Sequence, residues 1–372
     1  MKWFVSALLL LAALLRPSGA LAEAKEAPTI EVGGMALMEV NSGRLLAEQN
    51  AHKRLPMAST TKIMTALLAI EHCSLDEMVT VPTEAHGVEG SSMYLNDGEE
   101  LLLSDLLYGL MLTSGNDAAV AIACHVAGSV EAFAELMNAR ARELGCTDTN
   151  FVTPNGLPND MHYTTAYDLC RIAAKALQNE TFRQIVGTTY HRTESGDVTR
   201  TLKNKNKTLW QYEGGNGVKT GYTKAAGRCL AFSAERDGTM LVGVVLNCPD
   251  MWNDAFDLLD YGFETYGTQK LVEAGACVAY VGIEGGTKKG LAIYTKEAIL
   301  YPLALDDSDE IDWRIECEQS LQAPVAAGQM VGRLTLLVNG VEAAAAELVT
   351  AESVAVADLA YYWNGILDRW IA

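Results

Sequence analysis

Three consecutive strand patterns constrain the fold of this chain most strongly. The segments NGVKTGYT, GRCLAFSAE and TMLVGVVLNC lie between residues 216 and 248 and are rich in residues that favour strands. The last two are joined by a turn at Asp237-Gly238, and such short connections make neighbouring strands antiparallel. Helical patterns lie on both sides of this region. The sequence therefore predicts an antiparallel sheet covered by helices.

Helical periodicity fills much of the chain before these strands. Apolar residues recur at helical spacing after Ser59, on both sides of Ser114-Gly115-Asn116, and through VEAFAELMNARARELG and TTAYDLCRIAAKALQN. Two short strands surround a turn at residues 41–43, and WNDAFDLLDYGFETYG predicts another helix after the sheet. We expect these elements to form one mixed domain over residues 27–267.

The character of the sequence changes beyond residue 267. Strand alternation and turn residues without a strong helix predict a small all-β domain over residues 268–360. Residues 361–372 form an amphipathic tail, whose apolar residues share one helical face: Trp363, Ile366, Leu367, Trp370 and Ile371. This face is suited to peripheral contact with a membrane interface or to docking on the β domain, and the sequence leaves both alternatives open.

The first 22 residues have the layout of a signal peptide. Lys2 precedes an apolar run from Trp3 to Leu15, and small residues follow up to Ala22. We therefore expect an exported, extracytoplasmic protein. Its formal net charge of −19 argues against binding nucleic acid through charge alone. The eight cysteines are scattered without a C-x-x-C pair, which favours buried free thiols over a set of disulfides.

Ser59 and Lys62 form a Ser-x-x-Lys motif at the start of a helical pattern. Residues three apart share one face of a helix, so the lysine amine can reach the serine hydroxyl. A free lysine has a pKa of about 10.4, but burial, a helix N-terminus and a second cation all lower it. A neutral Lys62 would activate Ser59 as a nucleophile. The motif alone is short enough to occur by chance.

Two further motifs follow in sequence. Ser114 to Asn116 lie between helical patterns, where a plain turn would be the ordinary interpretation. Lys219, Thr220 and Gly221 lie in a strand pattern, and this lysine and threonine suit a carboxylate by charge and hydroxyl donation. Gly221 leaves room for a substrate beside the strand. Three motifs in this order and in these settings are improbable together by accident.

The motifs together resemble the penicillin-recognising serine enzymes, which are the penicillin-binding proteins and serine β-lactamases. The chain is most similar to the low-molecular-mass D-alanyl-D-alanine carboxypeptidases, through MASTTKIMTALL, YGLMLTSGNDAAVAIA, TPNGLPND, HYTTAYDL, GVKTGYT and LLDYGF. The stretch APVAAGQMVGRL resembles the C-terminal β domain of that family. The resemblance implies an α/β (α+β) transpeptidase-like domain, with an antiparallel sheet covered by helices, followed by a small all-β domain.

The resemblance also implies a role for each motif residue. Ser59 would be the nucleophile and Lys62 its base, either alone or through Ser114, which would pass a proton to the leaving amine. The backbone N–H groups of Ser59 and Tyr222 would form the oxyanion hole. Substrate binding would fall to four residues: Asn116, Lys219, Thr220 and Gly221. Relatives often carry an arginine shortly after the third strand, where this chain has Met251, Trp252 and Asn253.

The implied activity is removal of the terminal D-Ala from peptidoglycan stem peptides through an acyl-enzyme on Ser59. β-Lactams would be covalent inhibitors, no metal or organic cofactor is implied, and the protein would act in the cell wall or at the outer face of the cytoplasmic membrane. The alternatives are a D,D-endopeptidase, a β-lactamase, which lacks a placed deacylating carboxylate, and a non-catalytic wall-binding or sensor protein. The histidines show no metal-ligand spacing, so His125 and His162 are interpreted as ordinary helix or loop residues.

Overall fold

The computed structural model describes residues 25–371. The predicted signal peptide, residues 1–22, lies outside the described residues. The described chain divides into two compact units, Lys25–Tyr266 and residues 267–371.

The first unit is built on a five-stranded antiparallel sheet. Its strand order is β2-β1-β9-β8-β7, while β3-β4 and β5-β6 form two separate ribbons. The strands are β1 (Gly34–Glu39), β2 (Leu45–Gln49), β3 (Met78–Thr80), β4 (Glu100–Leu102), β5 (Tyr190–Arg192), β6 (Thr201–Lys203), β7 (Gly215–Thr223), β8 (Gly227–Arg236) and β9 (Thr239–Leu246). The three strands predicted between residues 216 and 248 are confirmed as the neighbours β7, β8 and β9.

Helices connect and cover this sheet. They are α1 (Lys62–His72), α2 (Leu103–Tyr108), α3 (Asn116–Ala127), α4 (Val130–Glu143), α5 (Ala166–Leu177), α6 (Glu180–Gly187), α7 (Thr208–Gln211) and α8 (Met251–Thr265). A 3₁₀ turn over Ala58–Thr61 leads directly into α1, and a π-helical turn over Gly109–Thr113 continues α2. The predicted break between two helical runs is confirmed, because α3 begins only at Asn116.

The sheet is buried on both faces. Ala36 and Met38 of β1 join the apolar core that contains α1, α3 and α5, whereas Met35 and Leu37 point to the opposite face and pack in the core of α8. Burial on both faces explains why β9 is apolar throughout its length rather than alternating. Strand β7 is one of the two edge strands and lies against the 3₁₀ turn Ala58–Thr61.

The second unit is an all-β domain with its own core, as predicted. Its strands are β10 (Tyr266–Val272), β11 (Cys277–Glu284), β12 (Gly290–Thr295), β13 (Ile299–Ala304), β14 (Ile311–Cys317), β15 (Ser320–Gln322), β16 (Met330–Val338) and β17 (Val341–Thr350). Six of them form a sheet in the order β14-β16-β17-β12-β11-β15, in which only the β11–β15 pair is parallel.

The chain ends in the predicted amphipathic helix, α9 (Leu359–Ile371). Its described apolar side chains are exposed, including Trp363 at 63% and Trp370 at 88%. Tyr361 Oη donates a hydrogen bond to the Thr287 carbonyl. The alternative in which the apolar face docks on the β domain is therefore not observed. Among residues 25–371, no single helix is long and apolar enough to cross a membrane. Helices α3 and α4 together have the required length and composition, but they are bent by 82° relative to each other.

All eight cysteines are free thiols, as the sequence predicted. The expected burial holds for half of them: Cys146, Cys170, Cys229 and Cys248 are buried. Cys73, Cys124 and Cys317 are half-buried, and Cys277 is exposed.

A buried ion pair between Arg200 and Glu99 fixes the segment that precedes β4. The guanidinium donates to both carboxylate oxygens, at 2.7 and 2.8 Å, and also to the carbonyls of Met93 and Tyr94. Burial raises the pKa of Glu99, but the hydrogen bonds from Arg200 and from the Asn96 N–H outweigh it and lower this pKa.

We expect Arg200→Ala to lower the free energy of unfolding by about 3–5 kcal/mol, because it leaves the Glu99 carboxylate buried without its partner. Urea denaturation followed by circular dichroism measures this change. Arg54 forms an exposed ion pair with Asp148 and supplies the control, since Arg54→Ala should leave the midpoint nearly unchanged. Equal midpoints for the two variants would contradict the structural role of Arg200.

Candidate active site

Ser59 lies on a tightly held turn at the start of α1. The preceding residue, Ala58, has a φ of 48°, a left-handed conformation that costs energy for a residue other than glycine. The turn is held by two side-chain hydrogen bonds, from Thr60 Oγ1 to the Met57 carbonyl and from Thr61 Oγ1 to the Ala58 carbonyl. Ser59 itself stays partly exposed, so its hydroxyl is both fixed and accessible.

The Lys62 amine is buried and fully engaged. Its Nζ lies 3.0 Å from Ser59 Oγ, 2.7 Å from Asn116 Oδ1 and 2.6 Å from the Asn155 carbonyl oxygen. The orientation of the Asn116 amide is fixed by its other end, because Nδ2 donates to the Glu89 carbonyl at 2.6 Å. The predicted contact between Lys62 and Ser59 is therefore present, and Asn116 joins it.

The surroundings of Lys62 favour its neutral form. Burial, followed by the charges of Lys219 and Lys205, lowers the pKa of Lys62 well below its usual value, although Asp117 opposes them. A neutral amine has two protons and one lone pair. Asn116 Oδ1 and the Asn155 carbonyl can only accept, so they take the two protons. The lone pair then faces the Ser59 hydroxyl.

Ser114 ends the π-helical turn and lies two residues before Asn116. It adopts a left-handed conformation, with a φ of 67°, and is buried. The three hydrogen bonds of Lys62 Nζ go to Ser59, Asn116 and Asn155, and none of them goes to Ser114. Ser114 is thus adjacent in sequence to the residue that binds Lys62, and its side chain makes no hydrogen bond to Lys62.

Strand β7 brings the third motif against the Ser59 turn. A Cβ atom added at Gly221 would lie 3.1 Å from Ser59 N and 3.2 Å from the Met57 carbonyl oxygen, so a larger residue would push the strand and the turn apart by a few tenths of an ångström. Lys219 is buried and its Nζ donates to the Thr220 carbonyl at 3.0 Å. Burial, with a smaller contribution from Lys205, lowers the pKa of Lys219 to about 7. Tyr222 follows with an exposed side chain.

Lys205 is a third lysine of this site, and no sequence motif pointed to it. Its Nζ donates to the Thr113 carbonyl at 2.8 Å, and partial desolvation lowers the pKa of Lys205 although the residue is exposed. Its charge in turn contributes to the lowered pKa of both Lys62 and Lys219. In the sequence it lies in KNKNK, a pattern typical of a solvated surface, so nothing local distinguished it.

His162 also has a more specific place than the sequence indicated. Its Nδ1 accepts a hydrogen bond from the Val152 N–H, and its Nε2 lies 2.8 Å from Thr61 Oγ1. Because Thr61 already donates to the Ala58 carbonyl, His162 Nε2 carries the proton and donates to Thr61. Burial and the charge of Lys62 lower the pKa of His162 to about 4. A neutral His162 therefore braces the turn that carries Ser59.

A cavity of about 400 Å³ adjoins the same turn. It is lined by Ala58, Gly156, Leu157 and Thr223, among other residues. Gly156 has a φ of 84°, and a Cβ atom there would overlap the Ala58 carbonyl. The TPNGLPND segment is thus packed tightly against the Ser59 turn. It supplies the Asn155 carbonyl to Lys62 and part of the cavity wall.

A serine hydroxyl 3.0 Å from a buried lysine amine is the arrangement expected of serine hydrolases and acyltransferases that use lysine as a base. A family profile described as D-alanyl-D-alanine carboxypeptidase matches residues 21–250, and one described as penicillin-binding protein 5, C-terminal domain, matches residues 266–356. The chain belongs to the D-alanyl-D-alanine carboxypeptidase family. The predicted family, fold class and class of enzyme are confirmed, and this family acts outside the cytoplasm.

Individual relatives cover most of the chain. The D-alanyl-D-alanine carboxypeptidase DacF of Bacillus subtilis is 32% identical over 351 residues, which cover 91% of this chain and 90% of that protein. A D-alanyl-D-alanine carboxypeptidase of a Streptomyces species is 37% identical over 257 residues, which cover 63% of this chain and 88% of that one. The crystal structure of penicillin binding protein 5 from Haemophilus influenzae gives a TM-score of 0.75 at 29% identity, over 89% of this chain and 100% of that chain.

The lowered pKa of Lys219 predicts a pH-dependent stability. Between about pH 7, its folded pKa, and about pH 10.4, its unfolded value, the unfolded chain binds more protons than the folded chain. The contribution of Lys219 to stability therefore rises with pH in this window, by up to about 1.4 kcal/mol per pH unit. Urea denaturation of the wild type and of Lys219→Met across this window measures it.

We expect the difference in stability between wild type and Lys219→Met to shift in favour of the wild type as the pH rises. Lys224 is exposed and close in sequence, so Lys224→Met is the matched control and should follow the wild type at every pH. Parallel curves for the wild type and Lys219→Met would show that Lys219 is not desolvated in the folded protein.

Proposed function

We propose that this protein is a serine D,D-carboxypeptidase that removes the terminal D-Ala from peptidoglycan stem pentapeptides through an acyl-enzyme on Ser59. The observation that carries the proposal is the environment of the Lys62 amine. Its Nζ lies 3.0 Å from Ser59 Oγ, while two fixed acceptors take its protons. A base in this state can accept the hydroxyl proton at neutral pH.

In the acylation step, Ser59 Oγ attacks the carbonyl carbon of the penultimate D-Ala and its proton moves to Lys62 Nζ. The carbonyl oxygen becomes an oxyanion, which the backbone N–H groups of Ser59 and Tyr222 would stabilise. The close approach of Gly221 to Ser59 N supports this pairing, because it brings the backbone that follows Gly221 to the nucleophile. A preorganised donor of this kind is worth about 3–4 kcal/mol in the transition state.

Departure of D-Ala requires a proton on its amine. Lys62 holds that proton after the attack, and Ser114 would relay it. Ser114 is buried and lies two residues before Asn116, which binds Lys62. Asn116 positions Lys62 through Oδ1, and its Nδ2 has a second proton that would bind the amide of the substrate. Water then releases the shortened peptide and regenerates Ser59.

The terminal carboxylate of the substrate would bind where the lysines of the site converge. Lys219 and Thr220 of β7 supply charge and a hydroxyl, and Lys205 adds a second cation from a different segment. This cation would take the place of the arginine that relatives carry shortly after the third strand. A bound carboxylate would raise the pKa of Lys219 again, so the substrate itself would favour the charged form.

The acyl part of the stem peptide would extend towards the cavity beside the Ser59 turn. β-Lactams would acylate Ser59, because they mimic the acyl-D-Ala-D-Ala unit. We further propose that the protein works at the outer face of the cytoplasmic membrane or in the cell wall. The exposed apolar side chains of α9 would provide peripheral membrane contact.

The decisive experiment compares D-Ala release from a defined pentapeptide by the wild type and by Ser59→Ala. We expect release by the wild type and a loss of at least about 10³-fold in the variant, since the nucleophile is removed. A labelled penicillin should modify Ser59 in the wild type only. Absence of both release and label would favour the non-catalytic alternative. Cleavage of purified cross-linked muropeptides in preference to the pentapeptide would favour the endopeptidase.

The role of Lys205 predicts a selective change in substrate binding. We expect Lys205→Met to raise KM for the pentapeptide by about 10-fold or more with a smaller effect on kcat, because a charge-assisted hydrogen bond is lost. Lys205→Arg should retain most of the binding. Lys203→Met removes an exposed lysine two residues away and serves as the control. An unchanged KM in Lys205→Met would overturn the proposed role.

A further inference from the structure

Cys73, Glu77 and His125 come together at a distance from the Ser59 site. Cys73 follows α1, Glu77 directly precedes β3, and His125 lies in the last turn of α3. One ligand atom from each lies within 4.8 Å of the other two. Across residues 25–371, no other group of three histidine, cysteine or acidic side chains meets this criterion. The cluster joins the connection between α1 and β3 to the last turn of α3, 48 residues further along the chain.

The simplest account of this cluster is an ion pair with a neighbouring thiol. His125 Nε2 and Glu77 Oε2 are 2.9 Å apart, which fits such a pair. The three donor types also suit a metal ion, because a thiol, an imidazole and a carboxylate are the ligand types that zinc takes in proteins. All three residues are partly exposed, with His125 at 22% and Glu77 at 42%, so an ion can reach them from solvent.

The carboxylate of Glu77 is also oriented for the cluster. Its Oε1 accepts a hydrogen bond from the Ser74 N–H at 2.6 Å, which leaves Oε2 directed at His125. A fixed second oxygen of this kind is typical of carboxylates that bind metals. Zinc–ligand distances of about 2.0–2.3 Å place tetrahedral ligand atoms roughly 3.3–3.8 Å apart. Rotations of the Cys73 and Glu77 side chains that move their ligand atoms by about an ångström would bring the three ligand atoms to these separations.

We propose that Cys73 Sγ, Glu77 Oε2 and His125 Nε2 bind a divalent cation of the zinc class, with water as the fourth ligand. On binding, the Cys73 thiol loses its proton to solvent and forms the sulfur–metal bond, and the imidazole coordinates in its neutral form. Three protein ligands and a water are an open coordination set.

Two helices, α1 and α3, connect this cluster to the Ser59 site. Helix α1 begins at Lys62 and α3 begins at Asn116, and these two side chains are joined by a 2.7 Å hydrogen bond. The same helices end near Cys73 and His125. An ion at these ends would lie about 16 Å along α1 from Lys62 and about 14 Å along α3 from Asn116, and it would fasten the two helices that position these residues. The ion would therefore act as a clip, and this part of the inference rests on the proposed function.

The test measures metal binding directly on the full chain, with any polyhistidine tag removed. We expect equilibrium dialysis to give one tightly held zinc ion per chain. Cobalt(II) in its place should give a thiolate-to-cobalt charge-transfer band in the near ultraviolet. Zinc should also raise the thermal midpoint, since an ion that binds the folded chain stabilises it.

Cys73→Ser should lose the cobalt–thiolate band and weaken zinc binding by at least about 10- to 100-fold. The matched control is Cys124→Ser, which removes a half-buried free thiol next to His125 in sequence and should keep both. His125→Gln should lose binding while its circular dichroism shows a folded chain. Wild-type protein without stoichiometric zinc, or equal binding by wild type and Cys73→Ser, would overturn the proposal.

D-Ala release separates this proposal from the proposed function. If zinc binding depends on Cys73 but the wild type releases no D-Ala, the metal site stands and the carboxypeptidase proposal fails. If D-Ala is released but no zinc binds, the reverse holds. With both present, we expect added zinc to raise the temperature at which the wild type loses activity, and to leave that temperature unchanged in Cys73→Ser.

Discussion

The site depends on the burial of one amine. Removing an ammonium ion from water costs several kcal/mol, which hydrogen bonds to neutral carbonyls only partly offset. The surroundings of Lys62 therefore select the neutral amine, and two cations nearby reinforce this selection. Once the amine is neutral, the two fixed acceptors decide where its lone pair points. The chemistry proposed for Ser59 follows from this local electrostatic arrangement.

The rest of the first unit makes that arrangement rigid. The sheet is covered on both faces, so its edge strand β7 is held in register by an apolar interior on each side. Helices α1 and α3 begin at residues that contact each other, and the braced turn before α1 is packed against β7 through Gly221. The substrate would thus meet a preformed surface, which is what transition-state stabilisation requires.

Local patterns predicted much of this structure. The strands β7 to β9, the helices and the all-β second unit follow from periodicity and turn residues, and the Ser59–Lys62 contact follows from helical spacing. Contacts between residues that are far apart in the sequence could not be predicted in this way. Asn116 and Asn155 reach Lys62 from 54 and 93 residues away, and only the fold brings them there. Lys205 and His162 had no local signal, because their roles arise from partners that only the fold brings close, Thr113 for Lys205 and Thr61 for His162.

The unpaired thiols have a consequence for a protein that acts outside the cytoplasm. Burial raises the pKa of Cys170 and Cys229, which keeps these sulfurs protonated. Oxidation and mispairing proceed through the thiolate, so these residues are chemically quiet even under oxidising conditions. The protein can therefore carry many cysteines without a disulfide framework. Oxidative damage would begin instead at the exposed Cys277 of the β domain, away from the interior of the first unit.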